Sequence, residues 1–140
     1  MEHSKKFYNQ LSDFTKALKS FEKYLAKDFS KMNADDLDAN ENAMIQKFEV
    51  CCELTWKTIK LFLEERGTLE FQSPLDVLKG FFQKGYADAE IVEGLIAMIK
   101  DRNKMSHIYS EDFFRGVIGN LSKHFNAIQK AKSILDRESK

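Results

Sequence analysis

Residues 7–25 read FYNQLSDFTKALKSFEKYL, and this stretch decides the fold of the chain. Its large apolar residues recur at alternating steps of four and three, at Phe7, Leu11, Phe14, Leu18, Phe21 and Leu25. This spacing places them on one face of an α-helix and leaves the other face polar. A helix with one apolar face has to bury that face against other elements, so the stretch predicts one member of a helical bundle.

A second, longer amphipathic helix is predicted at about residues 41–66, with Gly67 as its C-terminal cap. Between the two helices, residues 30–40 are rich in Ser, Asn and Asp, and we expect them to form a polar, acidic connection. The apolar stripe of the second helix consists of Ile45, Phe48, Cys52, Trp56, Ile59 and Leu63.

Three further helical segments follow. Ser73-Pro74 is a start signal, a cap residue followed by proline at the first helical position, and this short helix ends at Gly85. The next helix spans about residues 88–104, and Ser110 caps a last one. Their apolar residues are Leu75, Leu78, Phe81 and Phe82, then Ile91, Val92, Leu95, Met98 and Ile99, then Phe114, Val117, Ile118, Leu121, Phe125, Ile128 and Leu135. We therefore predict an all-α fold, an up-and-down four-helix bundle with one additional short helix.

The composition is typical of a single-domain helical protein. The chain has 140 residues, 43% of them hydrophobic and 31% charged, with one Pro and six Gly, and one domain over residues 1–140 suffices for a single core. No stretch resembles a transmembrane span or a signal peptide, so we expect a cytoplasmic protein. Cys51 and Cys52 are adjacent, which suits reduced core side chains better than a disulfide.

The net charge is zero, but its distribution along the chain is uneven. Residues 113–140 carry six Lys/Arg against two Asp/Glu, whereas residues 31–55 carry two against six. The basic segment suits either an RNA or phosphate surface or an ordinary solvated helix face, and charge alone does not distinguish them.

The densest group of chemically active side chains is DRNKMSHIY, residues 101–109, directly after the apolar part of the fourth helix. On a continuous helix Arg102 and His107 would point in different directions. Both can face one cleft only if the chain bends over residues 104–110, and the cap at Ser110 favours such a bend.

An arginine and a histidine at one cleft suit metal-independent phosphodiester chemistry. A neutral His107 can take a proton from a ribose 2′-hydroxyl, while Arg102 stabilises the charge that builds on the phosphate. The alternative is a structural polar cluster, in which Tyr109 packs inward and Arg102 pairs with Asp101 or Glu111. The residue types alone leave both interpretations open.

Other candidate residues have ordinary structural explanations at this point. Glu49 and Glu53 can either reach the cleft from the second helix or serve as partners of Lys57 or of an arginine on a neighbouring helix. His3 is expected in a frayed terminus. His124 has no ligand spacing with another residue, so no metal site is predicted.

Three blocks of the sequence together resemble one family. RNKMSHIY at 102–109 resembles the Arg-Asn-x-x-x-His-x-Tyr motif of the bacterial nucleotidyltransferase substrate-binding protein family, a branch of the HEPN superfamily. IQKFE at 45–49 with ELTWKTIK at 53–60 resembles the family's Phe-Glu…Glu-Leu-x-Trp-Lys helix, and the Ser-Pro at 73–74 resembles its Ser-Pro-x-x-Val helix start. The resemblance covers about residues 7–135 in the right order. The adjacent cysteines depart from the Thr/Phe-like residues expected there.

This resemblance implies a helical bundle that forms a homodimer and a second protein as partner, a minimal nucleotidyltransferase that holds ATP and Mg²⁺. The chain itself lacks the Gly-Ser followed by paired Asp that a nucleotidyltransferase needs for its metals. In related toxin–antitoxin pairs the HEPN protein is a metal-independent RNase, with Arg102 and His107 at the catalytic positions. The partner can silence it by adding AMP to a tyrosine whose position Tyr109 matches.

Three functions remain open from the sequence. The first is a substrate-binding or acceptor subunit, in which Arg102 holds phosphate and Asn103 and Tyr109 contact or accept the nucleotide. The second is a ribonuclease toxin, in which His107 is the general base, Arg102 stabilises the phosphate and Asn103 is an orienting or phosphate-contacting amide. The third is a non-catalytic interaction bundle whose motif is a satisfied polar cluster.

Overall fold

The structure is a computed structural model that describes residues 2–67, 70–105 and 110–140. Over these ranges it contains five helices and no strand: α1 Lys5–Leu25, α2 Ala34–Glu65, α3 Pro74–Gln83, α4 Ala89–Lys104 and α5 Glu111–Glu138. The prediction of an all-α fold with four long helices and one short one is confirmed. None of these helices combines the length and the apolar character that crossing a membrane requires.

A side chain caps the start of each of these helices. The N-cap residues are Ser4, Asn33, Ser73, Asp88 and Ser110, and each accepts a hydrogen bond from the backbone N–H three residues later. Each cap satisfies one of the N–H groups that a helix start leaves unpaired. The predicted caps Ser73 and Ser110 are confirmed. Gly67 follows α2 with a φ of 93°, as expected of a C-terminal glycine cap.

Helix α2 is central and packs against each of the other four helices. α1 runs antiparallel to it, because Ser4 before α1 bonds to Glu65 at the end of α2, whereas Lys27 after α1 bonds to Asn40 near its start. The two helices thus form an antiparallel pair along most of the bundle.

Helix α5 runs parallel to α2 and antiparallel to α4. Near its start Arg115 bonds to Glu41 of α2. Asp101 of α4 bonds to His124 of α5, and a Cβ placed on Gly94 would lie 3.1 Å from that of Ala127. The short helix α3 packs between α2 and α4. The four long helices therefore alternate in direction along the chain, as predicted for an up-and-down bundle.

Phenylalanine fills the core along the bundle. The fully buried members are Phe7, Phe14, Phe21, Phe48, Phe62 and Phe81. Cys51 and Cys52 are buried free thiols, as predicted, and burial raises the pKa of both to about 12. Trp56 packs against the core but is only partly buried. Phe82, one of the apolar residues of the short helix, is 46% exposed.

The start of α2 differs from the prediction. Residues 34–40, expected in a polar connection, form the first turns of the helix. Asn33 caps the N–H of Asp36, and Asp35 and Asp36 lie in the first turn, where negative charge is favourable next to the helix N-terminus. The acidic composition that suggested a connection instead stabilises a helix start.

The expectation of a frayed terminus at His3 is wrong. Its side chain is buried between the rings of Phe7 and Phe62. Nδ1 of His3 lies 3.0 Å from Oε1 of Glu65, and Nε2 accepts a hydrogen bond from Nε of Arg66 at 3.1 Å. The sequence around His3 could not predict this environment, because its hydrogen-bond partners lie more than sixty positions away along the chain.

His3, Ser4, Glu65, Arg66 and Glu138 form what we call the terminal clasp. Arg66 donates to the backbone carbonyl and to the carboxylate of Glu138, which joins the ends of α2 and α5. Partial burial opposes ionisation of Glu65, but hydrogen bonds from Ser4 and His3 outweigh it and hold the pKa of Glu65 below its ordinary value of 4.5.

We predict that Glu65→Gln lowers the free energy of unfolding by about 1–3 kcal/mol at neutral pH, because three donors lose their ionised acceptor. A lowered folded-state pKa gives stability that is present above pH 4.5 and is lost as the pH falls through the folded-state value. Urea denaturation should therefore show the difference between wild type and variant shrinking below pH 4.5. The exposed neighbour Glu64→Gln is the control. A difference that stays constant into acid would contradict this account of the clasp.

Candidate functional site

Arg102 lies in the last turn of α4, which ends at Lys104 with Met105 as its C-cap. A cation is favourable at this end of a helix. The Arg102 side chain is 30% exposed, and its Nη2 lies 3.8 Å from Oε1 of Glu53 on α2. Among the residues that the structure describes, Nε of Arg102 is the one buried side-chain nitrogen or oxygen atom without a hydrogen-bond partner. The guanidinium therefore has donor capacity that these residues do not use.

Arg102 borders a groove that we call the arginine groove. It has a volume of about 540 Å³ and lies between α1, α2 and α4. Its lining residues are Asp13, Gln46, Glu49, Val50, Glu53, Leu54 and Arg102. Val50 is 47% exposed there, which is unusual for so large an apolar residue on the central helix. The groove thus combines an apolar strip of α2 with charged walls.

The charges in the arginine groove are three carboxylates, of Asp13, Glu49 and Glu53, against the one guanidinium. Glu53 is shared, since it also pairs with Lys57 at 3.2 Å, as the sequence predicted. Both pairs are solvent-exposed, and exposed ion pairs contribute about 0–1 kcal/mol. Breaking the ion pair between Arg102 and Glu53 therefore costs little free energy.

The competing expectation, that Arg102 pairs with Asp101 or Glu111, is wrong for the described residues. Asp101 bonds to α5 instead, and Glu111 bonds to Arg115 at 2.9 Å. Arg102 points to α2 because consecutive helical residues diverge by about 100°, so Asp101 and Arg102 cannot face the same neighbour.

The predicted site residues Arg102, Glu49 and Glu53 come together at one groove, and Asn103 lies exposed on the same turn of α4 as Arg102. His107 and Tyr109 lie outside the described residues. The chain leaves α4 after Lys104 and enters α5 at Glu111, so the motif spans the end of one helix and its connection to the next. This agrees with the expected end of the helix between Arg102 and Ser110.

A polar cluster that sequence reasoning missed lies on the other side of α4. Nε2 of His124 lies 2.7 Å from Oδ2 of Asp101, and Asn120 donates to the same oxygen at 3.3 Å. The sequence contains only a weak indication of this cluster. Asn120 and His124 are four residues apart on α5, so they lie on the same face of the helix. Within the described ranges no three His, Cys, Asp or Glu side chains are grouped so that they could hold a metal ion.

This helical bundle, with Arg102 at the end of α4, is similar to known proteins in sequence and in fold. The family described as nucleotidyltransferase substrate binding protein like matches residues 9–137. The chain belongs to this family, as its three sequence blocks suggested. No curated protein matches the chain significantly in sequence.

Several solved structures have the same fold. A protein from Thermus thermophilus is 26% identical, with a TM-score of 0.72 over 89% of this chain and 97% of that one. The tri-AMPylated Shewanella oneidensis HEPN toxin, in complex with MNT antitoxin, is 15% identical, with a TM-score of 0.76 over 96% and 98% of the two chains. A structure of the toxin–antitoxin MntA–HpeT is 15% identical, with a TM-score of 0.75 over 94% and 97%. At such identities the last two establish the fold.

We predict that Arg102→Ala changes the free energy of unfolding by less than about 1 kcal/mol, because its ion pair with Glu53 is long and exposed. Arg115→Ala is the contrasting variant. Arg115 bonds both oxygens of the buried Glu41 carboxylate, so its loss should cost about 1–3 kcal/mol. Urea denaturation of both variants measures the difference. An equally large loss from Arg102→Ala would make Arg102 a structural residue.

Proposed function

We propose that this protein is the substrate-binding or acceptor subunit of a two-component minimal nucleotidyltransferase system of the toxin–antitoxin type. Family membership supports the association with a nucleotidyltransferase. The fold shared with a HEPN toxin bound to its MNT antitoxin supports the pairing with a second protein. The observation that carries the proposal is Arg102, whose Nε is buried without a partner among the described residues and whose guanidinium borders an open groove.

In this proposal Arg102 holds a phosphate group of the nucleotide. A guanidinium with free donors matches phosphate oxygens in charge and geometry. Asn103, exposed on the same turn, contributes an amide to the nucleotide. Glu53 supports the site by keeping Arg102 over the groove until an anion displaces this weak pair, and Glu49 lines the same groove.

The partner supplies ATP and Mg²⁺, and this chain supplies the acceptor. The phenol oxygen of Tyr109 attacks the α-phosphorus of ATP, the bond to pyrophosphate breaks, and the phenolic proton passes to a base or to water. The products are an adenylylated tyrosine and pyrophosphate. Arg102 stabilises the negative charge that grows on the α-phosphate oxygens.

The protein also forms a homodimer in this proposal. The arginine groove carries three carboxylates on a single chain, which would repel a polyanion approaching alone. Cationic groups from a second copy or from the nucleotidyltransferase would reduce this repulsion, so nucleotide or RNA would bind to the assembly rather than to the isolated groove.

We predict that incubation with ATP, Mg²⁺ and the partner nucleotidyltransferase adds one or more AMP units to the chain. Intact-mass spectrometry measures the gain. Tyr109→Phe should abolish it, whereas Tyr8→Phe, at an exposed tyrosine on α1, should leave it unchanged. Arg102→Ala should slow the modification roughly 100-fold, which is the effect of removing one group that stabilises transition-state charge in other enzymes. An unmodified chain beside a partner shown to be active would remove the acceptor role.

The second candidate function is a metal-independent HEPN ribonuclease, and it can coexist with the first. The same unused donor of Arg102 favours it, since phosphodiester cleavage needs a cation next to the scissile phosphate. His107 takes the proton of a ribose 2′-hydroxyl, whose oxygen attacks the phosphorus. The bond to the 5′-oxygen breaks and this oxygen takes a proton from water or from the protonated His107, which leaves a 2′,3′-cyclic phosphate and a 5′-hydroxyl end.

If the second function holds, the purified protein cleaves RNA in the presence of EDTA. We predict that Arg102→Ala and His107→Ala each lower the rate at least about 100-fold. Lys100→Ala, an exposed cation on α4, serves as the control for charge and should retain the wild-type rate within about twofold. Intact RNA with every protein preparation would exclude the ribonuclease. Together with an unmodified chain, it would leave the non-catalytic interaction bundle.

A further inference from the structure

Asp101 is the residue that ties the end of α4 to α5. Its Oδ2 atom is 2.7 Å from Nε2 of His124 and receives the amide N–H of Asn120 at 3.3 Å. Asp101 is 17% exposed at its side chain and His124 is 5% exposed, so the stronger bond is largely shielded from water. The ring of His124 also stacks on Phe48 of α2, with centroids 5.3 Å apart. We call Asp101, Asn120 and His124 the α4 anchor.

The protonation of the anchor follows from its partners. An ionised carboxylate only accepts hydrogen bonds, so Nε2 of His124 has to carry a proton in order to bond to Asp101. The acidic residue itself sits in the last turn of a helix, where the dipole disfavours negative charge. The hydrogen bonds from His124 and Asn120 of α5 offset this penalty, so Asp101 links the end of α4 to α5.

The anchor acts on the same turn that carries Arg102. The backbone carbonyl of Asp101 accepts the N–H of Met105 and closes the last turn of α4. Within the described part of the chain Arg102 makes no strong bond, since its ion pair with Glu53 is 3.8 Å long and its Nε is unpaired. The direction in which Arg102 points therefore depends on how firmly the adjoining residue holds the helix end.

We propose that Asp101, held by His124 and Asn120, is a positioning residue for Arg102. The carboxylate contacts α5 and the guanidinium faces the arginine groove on α2, so the anchor fixes the turn from the side opposite to the ligand. The part of this inference that concerns a phosphate ligand rests on the proposed function. The part that concerns the order of the Arg102 side chain does not.

The experiment uses two measurements on the full chain. The first is the order of the Arg102 Nε–H group in the free protein, from ¹⁵N relaxation by NMR. The second is the affinity for AMP, from isothermal titration calorimetry, which also serves the variants that lack Arg102. Asp101→Ala should loosen the Arg102 side chain and weaken AMP binding about tenfold, since misplacing a binding group is costly even when the group is still present.

The matched variants separate position from charge. Asp101→Asn keeps one carbonyl oxygen, and both donors bond to a single oxygen of Asp101, so this variant should retain AMP affinity within about twofold. Asn120→Ala removes the longer of the two bonds and should give an intermediate effect. Asn126→Ala, an exposed amide further along α5, should behave as wild type. These variants suffice if Asp101→Ala does not fold.

The double variant shows whether Asp101 acts through Arg102. In an Arg102→Ala background Asp101→Ala should have no further effect on AMP affinity, because coupled residues do not add. An equal loss in both backgrounds would overturn the positioning role, as would an unchanged Arg102 resonance in Asp101→Ala. If Asp101→Ala loosens Arg102 but wild type binds AMP no better than Arg102→Ala, the positioning role stands and the phosphate role of Arg102 fails.

Discussion

The bundle depends on α2 being one unbroken helix of 32 residues whose buried side chains face the other helices. Its buried residues besides Glu41 are Met44, Ile45, Phe48, Cys51, Cys52, Thr55, Thr58, Ile59, Phe62 and Leu63. A helix so broadly buried needs neighbours on several sides, and the other four helices provide them. What they leave uncovered is a narrow strip that includes Gln46 and Val50. The arginine groove lies along this strip, so the site exists where the packing of the bundle stops.

Among the described residues, buried polar groups are satisfied in the terminal clasp, in the α4 anchor and inside the bundle, whereas Nε of Arg102 is left without a partner. The terminal clasp joins the ends of α2 and α5, and the α4 anchor joins α4 to α5, each through hydrogen bonds to carboxylates. Inside the bundle the hydroxyl of Thr55 bonds to the carbonyl of Cys51 at 2.6 Å. Among the described residues, Nε of Arg102 differs from these groups because it is a buried donor without a hydrogen-bond partner. Such a donor loses its bond to water on folding and gains no bond in the protein, which lowers the stability of the fold.

Periodicity and caps were enough to predict the fold. Five apolar patterns of helical spacing, with start signals at Ser73 and Ser110, indicated the elements and their order. The site was predictable only in part. Arg102, Glu49 and Glu53 could be selected by residue type, but their meeting at one groove depends on which face of α4 points to α2. The partners of His3 and His124 could not be found, since pairs between distant helices leave no trace in local spacing. At the start of α2, acidic residues that belong to a helix terminus were interpreted as a connection.

The terminal clasp has a practical consequence for handling the protein. Tyr8 donates to the backbone carbonyl of Ser139, so the two outer segments of the bundle meet at one end of it. Glu65 in the clasp and Glu53 in the groove are separated by roughly 18 Å along α2 at the usual helical rise. Dyes, surface tethers or fused domains attached before the start of α1 or after the end of α5 would therefore lie away from the arginine groove. The same proximity suits circular permutation, with a short linker across the clasp and new ends in the surface connection between α1 and α2.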